Sequence, residues 1–322
     1  MTFVPPMIGD LLKSKISVVI PVMNEEKNVS ILSKEIRDVF EELRVDYEVI
    51  FVDDGSTDGT FSELKKLHRL DRRIKVIRLR RRFGKSAALS AGFDFAKGGV
   101  IITMDGDLQD DPSDIPKFLS KLDEGYDAVC GWRKNRSDSF FKIAFSRIAN
   151  GTRMLLMGEI IHDSVCGFKA YTKEAFEDVD IVGGMYRYTP TFLVGRGFKV
   201  GEVEVKNRKR IYGKTKYGYE RLLRGFLDLL YVKFWSAYRY RPLQLFGGIG
   251  ILVLMVSFIL GCNLLVEKFI YGQRISDRPA LNLVVLLVTV GIEFIFFGFI
   301  SEILVRLYFK EEKIYRIKDK FL

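Results

Sequence analysis

Cysteine and histidine are scarce in this chain of 322 residues, which has three of the former and two of the latter. Cys130, Cys166 and Cys262 form no C-x-x-C pair, and Cys262 lies inside an apolar run. That spacing argues against a disulfide framework and against a zinc site. His68 and His162 are too few for a histidine-rich metal centre. Glycine-rich nucleotide loops are missing as well. No G-x-G-x-x-G follows the first β-rich run, and FGKS at 83–86 carries the tail of a P-loop with Leu79 where its first glycine belongs. Dehydrogenase and ATPase readings lose their main support. There is no internal repeat and no low-complexity tract. The opening stretch MTFVPPMIGDLLKSK is too broken and too short for a signal peptide, so the front of the chain is expected to fold on the cytoplasmic side.

Charge is present in excess of one sign. Lys and Arg number 51 against 41 Asp and Glu, a net charge of +10. Such an excess points to an anionic partner, whether nucleic acid, a membrane surface or a phosphorylated substrate. Its distribution decides among these. Residues 243–266, LQLFGGIGILVLMVSFILGCNLLV, hold no charge, and 280–301 hold one, Glu293. At about 1.5 Å per residue each run is long enough for a ~30 Å hydrocarbon core. Basic residues flank the pair on one side: Lys233, Arg239 and Arg241 before it, and Arg306, Lys310, Lys313, Arg316, Lys318 and Lys320 after it. The positive-inside rule therefore puts both termini in the cytoplasm. A basic membrane rim accounts for the charge better than nucleic-acid binding does. Tyr231, Trp235, Tyr238 and Tyr240 fit an interfacial aromatic belt. Glu293 is expected to be a neutral carboxyl that hydrogen-bonds across an oligomer contact, the alternative being a functional intramembrane carboxylate. Segments 140–157 and 219–235 pattern as amphipathic helices, either interfacial or packed on a sheet.

Before the spans, short β-rich runs alternate with helical segments. Strands are predicted at 15–22, 47–54, 74–80, 99–105 and 128–133, and helices at 25–44, 59–70, 85–97 and 114–123. That alternation predicts an α/β fold, with a mostly parallel, doubly wound sheet and helices on both faces. Ligands in such sheets bind at the carboxyl ends of the strands. Three polar clusters fall there: Asn24-Glu25-Glu26, Asp53-Asp54-Gly55-Ser56 and Asp105-Gly106-Asp107.

The last cluster belongs to VIITMDGDLQDDP, residues 100–112, where an apolar run turns abruptly into four carboxylates. Asp105 and Asp107 are two apart on a turn leaving a strand, so both can face one hard cation. Mg²⁺ or Mn²⁺ suits such oxygen ligands and shares its shell with phosphate oxygens. Asp53 and Asp54 also end a strand and are expected to meet a base N–H or ribose hydroxyls. The competing use is an Asx-turn in DGSTDGT, and for Ser56, Thr57 and Asp58 capping is the expectation. Lys85, just inside a predicted helix, is placed to meet a diphosphate at that helix N-terminus. Arg80, Arg81 and Arg82 precede it.

VVIPVMNEE, VIFVDDGSTDGT, GKSAALSAGF, MDGDLQDDP, CGFKAY and RIYGKTKYG together resemble the family 2, GT-A fold glycosyltransferases. The likeness covers about residues 15–220 and leans toward the polyprenyl-phosphate sugar transferases, a group that includes bactoprenol glucosyltransferases and dolichol-phosphate mannose synthases. The two spans resemble the bactoprenol branch. By this resemblance Asp53 contacts the nucleoside with Pro21, Asn24, Glu25 and Asp54 nearby, and Asp105, Asp107 and Gln109 hold the metal. Arg133 and Arg210 lie near phosphates, and Asp163 lies near the reaction centre. Arg136, Arg147, Arg153, Arg208, Lys214 and Thr215 are candidates for the lipid phosphate. Gly106 stands where alanine is common, a difference expected to change little, and Thr215 keeps the hydroxyl of the usual serine.

The resemblance implies inverting, metal-dependent transfer of a hexose to polyprenyl phosphate at the cytoplasmic face of a bacterial inner membrane. Glucose from UDP-glucose is the expected donor, with GDP-mannose as the alternative. A non-catalytic, membrane-tethered nucleotide-sugar binder is a further alternative, which the intact D-x-D disfavours. A processive polysaccharide synthase is disfavoured by the absence of Q-x-x-R-W and by only two spans. A homo-oligomer is expected. The chain divides into a catalytic domain (1–216), a juxtamembrane segment (217–242), a transmembrane hairpin (243–308) and a basic tail (309–322).

Overall fold

A computed structural model describes residues 14–134, 161–163, 166–177, 186, 188–208, 234, 238, 241–272, 274 and 279–308. It contains two compact units, Met1–Leu229 and Leu230–Leu322.

The first unit is built on seven strands: β1 (Ile16–Val22), β2 (Tyr47–Asp53), β3 (Ile74–Arg78), β4 (Val100–Thr103), β5 (Ala128–Trp132), β6 (Lys169–Thr172) and β7 (Val200–Glu204). Their spatial order is β3-β2-β1-β4-β6-β5-β7. β1 pairs in parallel with both β2 and β4, and β2 with β3. β6 runs antiparallel to β4 and β5, while β5 and β7 are parallel. The sheet is thus parallel with one reversed strand. The central strands are buried on both faces and read as continuous apolar runs, as expected for a sheet covered by helices. The ladder between β1 and β4 ends at Val19↔Thr103. Pro21 therefore sits beyond that pairing, at the strand's carboxyl end, where a missing N–H is tolerated.

Helices α1 (Val29–Leu43), α2 (Thr60–Leu70), α3 (Lys85–Phe95) and α4 (Ile115–Asp123) follow the first four strands. Val29, Leu32, Ile36 and Phe40 recur at helical spacing and form the buried stripe of α1. They join β1, β2 and α4 in one core that includes Phe51, Phe118 and Phe168. Val19, Ile50, Val52, Leu89 and Phe93 form a second core on the opposite face. α1 begins four residues later than the sequence predicts. Asn24 adopts a left-handed backbone (φ 55°), which favours asparagine and diverts residues 24–28 into a turn. Two short helices, α5 (Lys173–Glu177) and α6 (Thr189–Gly195), flank β6 and β7.

The second unit contains α7 (Pro242–Phe269) and α8 (Pro279–Tyr308). Both are long and apolar enough to cross a membrane and extend beyond the predicted runs, to about 42 and 45 Å at 1.5 Å per residue. Large apolar side chains point outward, with Phe258 72% and Phe296 64% exposed. The helices meet through small residues. A Cβ on Gly250 would lie 2.6 Å from the Gly291 carbonyl oxygen, so the backbones cross where no side chain intervenes. Ser257 Oγ donates to the Val284 carbonyl at 2.9 Å. Together the pair suggests membrane anchoring. Glu293 is exposed on this hairpin. The predicted helix 140–157 lies outside the described residues, as does 219–235 apart from Phe234.

Candidate active site

The carboxyl ends of β1, β2, β4 and β5 share one rim with the chain entering β6, because β6 runs the other way. Register places Thr103 opposite Lys169, and Thr103 Oγ1 donates to the Gly167 carbonyl at 2.8 Å. This brings Gly167 against Asp105. A Cβ at position 167 would lie 2.6 Å from Asp105 Oδ1 and 2.8 Å from both Cγ and Oδ2. The CGFK segment is one wall of the acidic turn.

The turn itself is braced from below. Leu108 has φ 62° yet is 1% exposed and belongs to the main core. A left-handed leucine costs roughly 1–2 kcal/mol, which burial of its side chain, worth about 1.5–3 kcal/mol, offsets. Asp107 is buried and accepts from the Gln109 N–H at 3.2 Å. Asp110 is also buried and accepts from the Asp105 N–H at 3.1 Å. Burial and the Asp105 carboxylate push the Asp110 carboxyl up to about 7. Gly106 packs on β1, where a Cβ would lie 2.6 Å from Val22 Cγ1. Alanine at this position requires Val22 to move, which the sequence does not announce.

Positive charge surrounds this turn. The Lys85 ammonium is ion-paired with Asp105 Oδ1 and lies 5.0 Å from the Tyr186 ring centroid. Burial works against its charge, but Asp105 and Tyr186 hold its proton more tightly than an ordinary lysine's. Arg208 reaches Asp111 at 2.7 Å and Glu35 at 2.8 Å, so its head group is engaged within the domain. Lys117 pairs with Asp114 at 2.7 Å.

Beside the turn, Arg133 leaves β5 and makes a forked pair with Asp163: Nε donates to Oδ2 at 2.8 Å and an Nη2–H to Oδ1 at 3.2 Å. Burial opposes the guanidinium charge and Asp163 restores it, leaving the group firmly protonated. Glu202 on β7 clamps the segment by accepting from the backbone N–H of His162 at 2.8 Å and of Asp163 at 3.2 Å. The His162 ring stacks on Trp132 with centroids 4.4 Å apart. Neither Glu202 nor His162 is marked by any motif, and the Arg133–Asp163 pairing is equally silent in the sequence.

On the β1–β2 side, Asn24 Oδ1 accepts from the Thr57 N–H at 2.8 Å and Ser56 Oγ accepts from the Asn24 N–H at 2.9 Å. Glu25 accepts from the Asn28 side-chain amide at 2.6 Å. Asp53 is fully buried. Its Oδ1 accepts from the Ser56 N–H at 2.8 Å, and Arg78 Nε lies 3.3 Å from Oδ2. Asp58 accepts from the Thr60 N–H at 3.0 Å in a turn ahead of α2, whose N-cap position is Gly59 and not one of the expected capping residues. Asp54, expected to meet a ligand, spends its carboxylate inside the protein. It accepts from the N–H of Phe83 at 2.7 Å and of Gly84 at 2.9 Å, fixing the loop that delivers Lys85. Arg136, Arg147, Arg153, Arg210, Lys214 and Thr215 lie outside the described residues.

Among the described residues no three His, Cys, Asp or Glu side chains converge as a ready cation site. The residues nonetheless fit a divalent ion. Asp105 already holds a cationic head group, and the carboxylates of Asp107 and Asp110 stand buried in the same turn. A bound diphosphate would complete the ligand shell.

The architecture is that of the GT-A class of α/β folds. Among solved structures, glucosyl-3-phosphoglycerate synthase from Mycobacterium tuberculosis, in complex with Mn²⁺ and UDP-glucose, superposes with a TM-score of 0.55 at 20% identity, over 72% of this chain and 84% of that one. The chain belongs to glycosyl transferase family 2, whose model matches residues 17–180. Dodecaprenyl-phosphate galacturonate synthase of Rhizobium johnstonii is 36% identical over 97% of this chain and 94% of its own length. Undecaprenyl-phosphate 4-deoxy-4-formamido-L-arabinose transferase of Proteus mirabilis is 31% identical over 92% and 90%. The resemblance to polyprenyl-phosphate sugar transferases is thus met over nearly the whole chain, the two long apolar helices included.

Proposed function

We propose that this protein transfers a sugar from a nucleotide diphosphate donor to polyprenyl phosphate at the cytoplasmic face of the membrane, with inversion at the anomeric carbon. The observation that carries the reading is the acidic turn at the end of β4, walled by Gly167 and faced by Lys85 and Arg133, in a chain that also has two apolar helices. Asp105 and Asp107, with Gln109, would hold a divalent cation. Bound there, it would stabilise the charge that grows on the departing diphosphate.

The chain's own residues do the rest. Lys85, at the start of α3, offers a second positive charge to the diphosphate, supported by the helix N-terminus. Arg133, locked by Asp163, presents a guanidinium whose orientation is set before substrate arrives, which is the condition for electrostatic catalysis. The acceptor phosphate oxygen attacks the anomeric carbon as the bond to the diphosphate breaks. That oxygen is already ionised at neutral pH, so the reaction needs no strong base. Asp163 is assigned to positioning Arg133. Asp53, Asn24 and Glu25 shape the nucleoside end of the cleft. The lipid head group is assigned to Arg136, Arg147, Lys214 and Thr215, with Arg210 near the phosphates.

The catalytic domain is proposed to span 1–216, followed by a juxtamembrane segment to 242, the hairpin to 308 and a basic tail, with both termini cytoplasmic. Glu293, exposed on α8, is proposed to bond to a second copy of the chain.

For the donor, motif likeness alone favours UDP-glucose. The relatives matched over nearly their full length are named for galacturonate and for 4-deoxy-4-formamido-L-arabinose, and a nucleotide-activated hexuronate, after the more similar of the two, is the donor proposed. Purified protein supplied with polyprenyl phosphate, Mg²⁺ and a panel of radiolabelled UDP- and GDP-sugars tests both points. Label should enter the lipid fraction from a hexuronate donor, and Asp107→Asn should abolish it. Donor binding without transfer from any sugar would favour the non-catalytic alternative, and full activity of Asp107→Asn would sink the metal assignment.

A further inference from the structure

The Lys85–Asp105 pair joins a residue read as a diphosphate ligand to a residue read as a metal ligand. An ammonium and a divalent ion brought to the same carboxylate compete for its negative charge and repel each other. We propose that Lys85 is a tethered counter-ion that occupies the cation's place on Asp105 and leaves it only when a diphosphate offers another partner, so that cation and diphosphate bind cooperatively. This inference rests on the reading of Asp105 and Asp107 as the cation site.

Three features of the fold support it. First, the backbone of Lys85 is held, so its charge reaches the site on the side chain alone. Asp54 anchors the N–H groups of Phe83 and Gly84, and Gly84 takes the φ of 102° that turns the chain into α3. The four-carbon stem then carries the charge to Asp105, and the Lys85 side chain is 23% exposed. Second, Asp105 cannot step aside toward β6, because the Gly167 backbone closes that side. Third, Lys85 cannot retreat inward. The cavity behind it, about 10 Å³, is lined by Lys85, Lys169, Cys166, Gly167 and Tyr186. That is barely the space of a single water. Lys169 is 2% exposed and its ammonium already donates to the Tyr186 carbonyl at 3.0 Å. A displaced Lys85 would meet a second buried cation there.

The thermodynamics follow. A cation arriving alone must evict Lys85 and leave an ammonium half-buried without its partner, a costly state. A diphosphate arriving with it receives Lys85 at the mouth of α3 and removes that cost. Each ligand then strengthens the other by the same factor. Lys85 thus disfavours loading of the site by metal without donor.

The test uses the full chain in detergent. Mn²⁺ affinity is measured by electron paramagnetic resonance, alone and with saturating UDP or GDP, for the wild type, Lys85→Met and Lys85→Gln. Removing a unit charge a few ångströms from a divalent ion should tighten Mn²⁺ binding without nucleotide by about tenfold or more. The gain that nucleotide brings to Mn²⁺ affinity should shrink by a similar factor. Two variants of different polarity separate a charge effect from a local packing defect, and melting curves report folding. Unchanged Mn²⁺ affinity and unchanged nucleotide coupling in both variants would overturn the counter-ion role and leave the metal reading standing. Loss of Mn²⁺ binding in both, or no coupling in the wild type, would overturn it too. A wild type that binds no Mn²⁺ with either nucleotide would instead bring down the metal reading itself.

Discussion

Gly167→Ala offers a sharp separation of function from folding. The added Cβ would sit 2.6 Å from Asp105 Oδ1 and 2.8 Å from Cγ and Oδ2, where ordinary contact begins at 3.4 Å. The carboxylate must therefore move by roughly 0.6–0.8 Å, because it is the mobile end of a side chain while Gly167 is tied through its carbonyl to Thr103. Asp105 is partly exposed, so turning it aside costs little stability, about 1 kcal/mol or less, or some 2–4 °C in melting temperature for a domain of this size. Metal ligation is far less forgiving, since workable ligand distances vary by only about 0.2 Å. A misplacement of this order should cost about a hundredfold in transfer rate and at least tenfold in Mn²⁺ affinity. Melting curves, Mn²⁺ titration and initial rates on the same preparation provide the three readings. Wild-type rate and Mn²⁺ affinity in a normally folded Gly167→Ala would refute the claim that Asp105 is a ligand held against this wall. A large fall in melting temperature would show that the backbone, not the carboxylate, had yielded.

Asp163→Asn should destabilise the protein, because it strands the guanidinium of Arg133, whose side chain is 19% exposed. Breaking such a pair costs about 3 kcal/mol, or some 6–12 °C in melting temperature, and an unshifted melt would show the pair contributes nothing. Asp110 predicts the pH response of metal-free protein. Its folded carboxyl is raised to about 7 from the usual 3.8, so the folded state holds a proton that the unfolded chain releases. The associated stability is present below about pH 4 and is lost as pH rises toward 7. Asp110→Asn should flatten that decline between pH 5 and 7.5 in melting curves with chelator; an unchanged slope would mean Asp110 is already ionised.

Much of the sheet was legible in the sequence, because β1, β2 and β4 are buried on both faces and so appear as unbroken apolar runs. β6 and β7 were not. KAYT is four residues long and begins with a lysine, and VGEVE alternates with glutamates as an edge strand does. Both strands are defined by their partners, which local pattern cannot reveal. The acidic turn was legible because D-x-D after a strand is local information. What surrounds it was not: Gly167 faces Asp105 only because β6 reverses, and Glu202 reaches Asp163 across 39 positions. Lys85 was found by its place at a helix start, yet its partner is a carboxylate 20 residues later. Asp54 shows the opposite failure. A carboxylate on the binding rim looked available, and loop N–H groups claim it.

Leu108 ties the chemistry to the interior. A greasy side chain sunk in one core with Phe118 and Phe168 holds a bend that an isolated peptide would avoid, and from that bend hang the groups proposed to grip the donor. The turn is therefore nailed from inside and does not ride on the surface like an ordinary loop. Its shape should persist until the whole domain melts. On the proposed function, a residue that touches neither sugar nor ion would set how faithfully both are met.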